Sequence, residues 1–288
     1  MEFRQILFPV DFSPRSHAAA KHVRAMAVQF GSRVALIHAI EDPLKWYGST
    51  DPFKVVNVDL PQALKEAEAA LRGVAEIELP GVEVSIECEL AEPPEYIVRR
   101  AGVVHADLIM MPTHGHGKFR AALLGSATAK VLHDVAIPVW TEAHAESTTA
   151  GEHWPVKTIA CAIDLSKDSA RVLRFAADFA ERVGASMFVT HGVPVGELRL
   201  GEYVNVEPPE YLEDFARTEI GKLQREAGTS AEVWVRRGSV ATLVRDAAAE
   251  RKADLVIIGR GHIAQLGGGL TEHAYSIIRS APCPVLSI

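Results

Sequence analysis

Short apolar runs alternate with amphipathic stretches along this chain of 288 residues. The first run covers residues 4–10, and Ser13 with Pro14 then supplies the N-cap and the first position of a helix. That helix is predicted to reach Phe30, because apolar residues recur at steps of three and four. Residues 33–40 form the next run, whose continuous apolar character is typical of a strand that a parallel sheet buries on both faces.

The same alternation continues through the first half of the chain. The remaining predicted elements there are helices over 61–77, 93–102 and 127–133 and strands over 82–89, 106–111 and 136–140. The strand at 82–89 alternates apolar and polar residues, which is the pattern of a half-exposed edge strand. Strands that alternate with helices at this spacing predict a parallel α/β sheet.

The second half of the chain repeats the first. The matched segments are 6–13 with 159–166, 35–39 with 188–192, 106–111 with 253–258 and 136–139 with 282–285. Asp11 aligns with Asp164 and His38 with His191 at the same offset of 153 residues, which shrinks to 147 and then 146 in the later segments. The small deletions therefore fall in loops. A period this long indicates a duplicated domain and not a solenoid unit.

We therefore predict two tandem domains, 1–142 and 156–288, joined by a linker over 143–155 whose residues are small, polar and aperiodic. Each domain is expected to be a Rossmann-like α/β fold. The predicted sheet has five parallel strands in the order 3-2-1-4-5, with helices on both faces.

Composition narrows the class of protein. The chain is 48% hydrophobic and 23% charged, as globular domains are, and its net charge of −7 gives no electrostatic reason to bind nucleic acid. No apolar run approaches the roughly 20 residues that span a bilayer. The three cysteines, Cys88, Cys161 and Cys283, are far apart in apolar stretches, so we expect reduced thiols and no metal site. A cytoplasmic protein without a membrane segment is predicted.

The stretch from Met110 to Ala127 is the leading candidate for chemistry. It leaves a predicted strand through a glycine-containing loop and enters a helix at Gly125 and Ser126, where backbone N–H groups can bind a phosphate. Ligands of open parallel sheets bind where the strand order reverses, here between strands one and four, and Asp11 ends strand one. A carboxylate there suits a ribose hydroxyl or an adenine amino group. Two plainer interpretations stay open: the loop can be a strand-to-helix turn that simply needs glycines, and Asp11 can be a turn or capping residue before Ser13 and Pro14.

These residues resemble the universal stress proteins in their tandem form, over nearly the whole chain. The family motif is Gly-x-x-Gly, nine residues, then Gly-Ser or Gly-Thr, and Pro112–Gly115 followed by Gly125-Ser126 matches it except at the first glycine. The resemblance implies the adenine nucleotide alpha hydrolase-like fold and an ATP site, with or without Mg²⁺. The residues that it assigns to that site are Pro9, Asp11, Ala39, Met111, Pro112, Gly115, Gly125, Ser126 and Ala127. Pro112 has no N–H and a fixed φ, so altered affinity is expected.

The second half departs further from the motif. Gly259 is kept, but His262 replaces the second glycine and Thr271-Glu272 stands where the first half has Gly125-Ser126. Glu272 would bring negative charge to the phosphate end. We therefore expect the second half to bind ATP weakly or not at all.

No nucleophile–base pair or pair of acids emerges from the sequence, so an ATP-binding sensor or regulator of the stress response is predicted, with at most slow ATP hydrolysis or autophosphorylation. The alternatives are a scaffold with a decayed site and an ATP-dependent phosphoryl or adenylyl transferase on the same fold. A P-loop at Gly117-Lys118 fails because Pro112 and Phe119 stand at its two end positions. Gly259–Ala264 formally fits a dinucleotide fingerprint, but it does not follow the first strand of its unit, and the residue 20 positions beyond Gly259 is Arg279 and not an acid. The resemblance also implies that the fifth strands, at 138–140 and 284–288, pair within one chain as a pseudo-dimer, and that the chain can form a homodimer.

Overall fold

The computed structural model describes residues 1–41, 59–114, 124–143, 156–193, 211–261 and 271–288. The chain divides into two compact units, of which one is built on Glu2–Trp140 and the other on Pro155–Ile288. The domain limits from the sequence, 1–142 and 156–288 with a linker between, stay a prediction, since residues 144–155 lie outside the described part.

The first half is a five-stranded parallel sheet with four described helices. In chain order its elements are β1 (Gln5–Pro9), α1 (Pro14–Phe30), β2 (Arg33–Ile40), α2 (Leu60–Glu78), β3 (Val84–Leu90), α3 (Pro93–Val103), β4 (Leu108–Pro112), α4 (Ser126–Asp134) and β5 (Val139–Glu142). The strand order is β3-β2-β1-β4-β5. Helices α1 and α2 contact each other, as do α3 and α4.

The second half has the same topology. Its elements are β6 (Thr158–Ala162), α5 (Ser169–Val183), β7 (Ser186–Val193), α6 (Tyr211–Ala227), β8 (Glu232–Arg237), α7 (Val240–Glu250), β9 (Leu255–Ile258), α8 (Glu272–Ser280) and β10 (Val285–Ser287). The order β8-β7-β6-β9-β10 is again 3-2-1-4-5. The predicted α/β fold class is confirmed.

Helix α1 illustrates how local sequence sets the elements. The Ser13 hydroxyl accepts a hydrogen bond from the Ser16 N–H, and Pro14 occupies the first turn, where its missing N–H has no cost. Gly31 ends the helix in the left-handed conformation, at φ 67°, which glycine adopts without strain. The buried face includes Val23 and Met26, as the apolar spacing predicts.

Two predicted elements are displaced. Strand β5 begins at Val139 and not at residue 136, because Pro138 has no N–H to give to the sheet and contributes only its carbonyl, which accepts from Ile109 N at 3.0 Å. The amphipathic spacing of residues 203–223 also predicts a helix. Helix α6 runs from Tyr211 to Ala227, and residues 203–210 lie outside the described part of the chain. Among the described helices, none combines the length and the apolar character that crossing a bilayer requires.

The duplication extends to backbone conformation. Phe12 has a φ of 58° and Leu165, its equivalent, has a φ of 61°. His105 and Lys252 form a second equivalent pair, at 51° and 52°. Left-handed φ is uncommon in residues other than glycine, so two repeated occurrences indicate turns that the fold itself imposes. The first pair lies directly after Asp11 and Asp164.

Candidate nucleotide site

The turn between β1 and α1 fixes the Asp11 carboxylate. Asp11 Oδ1 accepts a hydrogen bond from Ser13 N at 3.0 Å, across the left-handed Phe12. This is an Asx-type turn, in which a side-chain oxygen replaces a backbone acceptor. Asp11 therefore has the structural role of a turn residue, while the N-cap of α1 is Ser13. The same bond also holds the half-buried carboxylate at the carboxyl end of β1, where a ligand of this fold would lie.

His38 connects β2 to the β1–α1 turn through a hydrogen bond. Its Nδ1 is 2.6 Å from the Val10 carbonyl oxygen, and because a carbonyl can only accept, Nδ1 carries the proton and donates it. The imidazole also contacts the Phe12 ring, with 4.6 Å between the ring centroids. Ala39 follows directly and is half-buried. His38 thus positions the neighbourhood of Ala39 against the β1–α1 turn.

The turn from β4 into α4 depends on a close approach of two backbone segments. Gly125 N donates to the Thr113 carbonyl oxygen at 2.8 Å, and Thr128 Oγ1 donates to the Pro112 carbonyl oxygen at 3.1 Å. A Cβ on residue 125 would lie 2.9 Å from that same Thr113 oxygen, which is closer than real Cβ atoms come. Gly125 has φ −59° and ψ 143°, so this position requires glycine for space and not for its conformational freedom.

The N-cap position of α4 leaves the first turn of the helix without a side-chain cap from that residue. Gly125 is the N-cap and provides no side chain to bond the first-turn N–H groups, and no acidic residue lies in that first turn. Ser126, at the first helical position, is exposed. Donors without a capping side chain, together with the positive end of the helix dipole, favour phosphate.

His114 and Arg15 add polar character to this region. His114 Nδ1 is 2.9 Å from Thr113 Oγ1, while its Nε2 is buried and has no hydrogen-bond partner in the part of the chain that the structure describes. Burial, and after it the positive charge of Arg15, lower the pKa of His114. A neutral imidazole whose Nδ1 accepts the Thr113 hydroxyl proton leaves Nε2–H as a donor. An unsatisfied donor beside a cation fits an anionic ligand.

The structure gathers most of the predicted site residues at one edge of the sheet. Because β1 pairs with both β2 and β4, their carboxyl ends are adjacent. The residues found there are Pro9, Asp11 and Ala39 on the side of β1 and β2, and Met111, Pro112, Gly125, Ser126 and Ala127 on the side of β4 and α4. Pro112 is a buried strand residue, and Gly115 lies outside the described residues.

The turn between β6 and α5 in the second half has the same hydrogen bonds as the β1–α1 turn. Asp164 Oδ1 accepts from Ser166 N at 2.9 Å and from Ser169 Oγ at 3.0 Å, and His191 Nδ1 donates to the Ile163 carbonyl oxygen at 2.8 Å. Burial alone would raise the pKa of Asp164, but the hydrogen bonds from the two serines outweigh it and lower that pKa. Burial lowers the pKa of His191.

The start of α8 differs from the start of α4. Thr271 Oγ1 accepts a hydrogen bond from Ala274 N at 3.2 Å, so a side chain already caps the helix, and Glu272 adds an acid to its first turn. Gly261, at φ 79°, packs so closely on Thr271 that an added Cβ would overlap the threonine methyl group. The N-terminus of α8 is therefore capped by the Thr271 hydroxyl and carries the negative charge of Glu272, so it suits a phosphate poorly.

Two functional candidates in the second half were missed from the sequence. A cavity of about 270 Å³ lies at the carboxyl ends of β6, β7 and β9, and Arg171 and Arg260 line it. The repeat offsets align Arg171 with Ala18 and Arg260 with Thr113, so a comparison of the halves for gained charges would have found both. Within the described ranges, no group of three or more His, Cys, Asp or Glu side chains is placed to hold a metal ion.

Comparison with known proteins agrees with this architecture. The model of the universal stress protein family matches residues 2–141 and 155–288. A universal stress protein of Methanocaldococcus jannaschii is 28% identical over 152 residues, which cover 48% of this chain and 93% of the relative. One from Thermus aquaticus is 33% identical over 138 residues, or 48% of this chain and 96% of the relative. The crystal structure of an Archaeoglobus fulgidus universal stress protein, 19% identical, covers 100% of this chain and 98% of its own with a TM-score of 0.74, which supports the fold. The chain belongs to the universal stress protein family.

Proposed function

We propose that the first half of this chain binds ATP and that the protein acts as a nucleotide-dependent sensor or regulator in the stress response. The observation that supports this most directly is the meeting of two features at one edge of the sheet. These are the fixed Asp11 carboxylate and the uncapped N-terminus of α4 at Gly125. A carboxylate binds hydroxyl or amino groups, and an open helix N-terminus binds phosphate, so the pair matches the two chemically different ends of a nucleotide.

The proposed roles follow from these positions. Asp11 and Ala39, with Pro9 and Met111 beside them, hold the adenosine, and Gly125, Ser126 and Ala127 hold the phosphates. Pro112 and Gly115 complete the motif, and Mg²⁺ can accompany the triphosphate. His114 Nε2, buried without a partner in the described region, supplies a further donor to the phosphates.

The second half is proposed not to hold a triphosphate. The Thr271 hydroxyl already accepts the Ala274 N–H, and the Glu272 carboxylate follows it in the same helical turn. Both differences remove attraction for phosphate at the position where the first half has Gly125 and Ser126. Cytoplasmic location, pairing of the two fifth strands and a homodimer stay predictions from the sequence.

Mass spectrometry of the denatured, purified protein tests the proposal. We expect adenine nucleotide to be released, and we expect the native protein to convert ATP to ADP much more slowly than it exchanges bound ATP. Fast turnover with a second substrate would instead favour a transferase. Protein that neither retains nor binds ATP at millimolar concentration would be the scaffold with a decayed site.

A further inference from the structure

Strand β3 is the outer strand of the first half, and a row of its backbone groups points away from its neighbour. Among the described residues β3 pairs only with β2. Val34 N donates to the Glu83 carbonyl oxygen at 2.9 Å, and Ala91 N donates to the Ile40 carbonyl oxygen at 3.1 Å. Because alternate residues of a strand face each neighbour, the odd-numbered residues of β3 bond to β2. The residues whose N–H and C=O groups point outward are therefore Val84, Ile86, Cys88 and Leu90.

The corresponding edge of the second half is covered by an arginine. Gly238 N donates to the Val193 carbonyl oxygen at 2.9 Å, so the odd-numbered residues of β8 face away from β7. The guanidinium of Arg217, on α6, donates to two of these outward carbonyl oxygens, those of Val233 and Val235, at 3.3 Å each. A charged side chain that covers an edge in this way keeps another strand from pairing with it.

The first half has an acid at the matching position. The first buried residue is Ala67 in α2 and Ala216 in α6, and both helices are buried again four residues later. Glu68 follows Ala67 as Arg217 follows Ala216. Burial, and after it the charges of Glu68 and Glu87, raise the pKa of the Cys88 thiol, so Glu68 lies close to the β3 edge. A carboxylate cannot donate to carbonyl oxygens, so it does not replace the cover that β8 has.

The face of β3 toward α2 is apolar. The Cys88 thiol donates to the carbonyl oxygen of Leu64, in α2, at 3.5 Å, which places the even-numbered side chains on this face. These side chains belong to the same residues whose backbone groups point outward. Leu90 is 39% exposed, so apolar surface at this edge remains to be covered.

The opposite face of β3, toward α3, carries paired charges. Glu89 Oε1 is 2.6 Å from Arg99 Nη2. The Glu87 carboxylate pairs with the Arg100 guanidinium. Acids and bases are thus equal in number on this face. A second strand with the same pattern would meet ion pairs and not a surplus of one charge, which makes the edge complementary to itself.

We propose that two copies of this chain associate through their β3 strands, paired antiparallel about a two-fold axis at Glu87. Val84 of one copy then faces Leu90 of the other, and Ile86 faces Cys88, so every outward N–H and C=O group of the strand gains a partner. The apolar faces of the two strands become continuous, and so do the charged faces. A two-fold interface requires such a self-complementary surface, and β3 itself has the alternation of apolar and polar residues that the edge fits.

Sedimentation of the full chain over a range of concentrations tests the inference, and we expect a monomer–dimer equilibrium. Glu68→Arg places a guanidinium where Arg217 stands in the second half, and it should weaken dimerisation at least roughly tenfold. Glu66→Arg is the matched control. It makes the same change of charge at an exposed residue of the same helix, but two residues along a helix do not face the same side. Glu66→Arg should dimerise as the wild type does.

A proline at Ile86 tests the hydrogen bonds themselves. The Ile86 N–H points away from β2, so Ile86→Pro removes no bond of the first half's own sheet and the chain should stay folded by circular dichroism. Dimerisation should weaken roughly tenfold or more, because each copy loses one donor to the other. Ile86→Val keeps the N–H and should dimerise as the wild type does. If Ile86→Pro fails to fold, Glu68→Arg still tests the edge without a change in the strand.

Cross-linking locates the interface. In the proposed pairing the two Cys88 residues are diagonal neighbours, roughly 7–8 Å apart. A short bismaleimide should therefore link wild-type chains into dimers, and Cys88→Ser should abolish the link. A chain that stays monomeric at millimolar concentration would overturn the inference, and so would a dimer that is unchanged in Glu68→Arg and gives no link at Cys88. Neither result bears on ATP binding, so this inference and the proposed function can fail separately.

Discussion

Replacing Gly125 with alanine tests the turn that joins β4 to α4. The alanine Cβ would lie 2.9 Å from the Thr113 carbonyl oxygen, and it would meet the His114 Cα at 3.6 Å. The crowded atom is a backbone oxygen, which cannot rotate away as the end of a side chain can. The turn must therefore open, and the hydrogen bond from Gly125 N to Thr113 O, now 2.8 Å, is lengthened or lost.

The expected cost follows from these contacts. Forcing an extra carbon into a packed position costs about 1–3 kcal/mol. Loss of the backbone hydrogen bond adds about 0.5–1.5 kcal/mol, and the reduced entropy of the unfolded alanine chain returns about 0.4–1 kcal/mol. The first half should lose about 0.5–4 kcal/mol of stability, which lowers its melting temperature by roughly 1–16 °C for a unit of this size. ATP affinity should fall roughly tenfold, as displacement of one phosphate donor predicts.

Gly73→Ala is the matched control. Gly73 lies inside α2, and an added Cβ there would meet no atom within 4 Å. The same chemical change should raise stability by up to about 1 kcal/mol, because alanine is the better helix former. Thermal unfolding followed by circular dichroism, with ATP titration of each variant, gives both quantities. A Gly125→Ala protein that melts at or above the wild type and binds ATP equally well would refute the steric argument.

Three other predictions test the packing around the two sites. Because the pKa of His191 is lowered in the folded protein, the unfolded chain takes up a proton at this residue first as the pH falls below about 6.5. His191 therefore contributes stability above about pH 6.5, and that contribution is lost as the pH falls further. His191→Asn should flatten the pH dependence of the melting temperature. Burial raises the pKa of Cys161 and of Cys283 to about 12, so neither thiol should react with a disulfide reagent at pH 8 until the protein is denatured, and rapid labelling of the native protein would contradict this. Thr128→Val keeps the shape of a buried side chain but removes the donor to the Pro112 carbonyl, and it should cost about 1–3 kcal/mol, measured as a loss of melting temperature relative to the wild type.

The sequence was sufficient for the fold and for the backbone part of the site. Apolar runs and helical spacing predicted the order of the elements, because strands buried on both faces and amphipathic helices differ in period. The repeat aligned Asp164 with Asp11 and His191 with His38 in sequence. In the structure each aspartate accepts a hydrogen bond from the N–H two residues on, and each histidine Nδ1 bonds the equivalent carbonyl oxygen.

Features that depend on tertiary packing could not be predicted from the sequence. Arg171 and Arg260 are far apart in the chain, and the direction of a long side chain is set by its neighbours in space. The role of His38 as a donor to the Val10 carbonyl also requires that β1 and β2 be adjacent. The start of β5 was wrong by three residues, since the effect of Pro138 depends on which of its groups faces β4.

Calorimetric titration of ATP into the full chain, with Asp11→Asn and Asp164→Asn compared side by side, tests the central claim most directly. Asparagine keeps an acceptor for the turn, the Ser13 N–H in the first half and the Ser166 N–H in the second, so both variants should remain folded. We predict one ATP per chain, roughly tenfold weaker binding in Asp11→Asn as one charge-assisted hydrogen bond is weakened, and unchanged ATP binding in Asp164→Asn. Two equivalent ATP sites, or ATP binding that depends on Asp164 and not on Asp11, would contradict the assignment of the nucleotide to the first half.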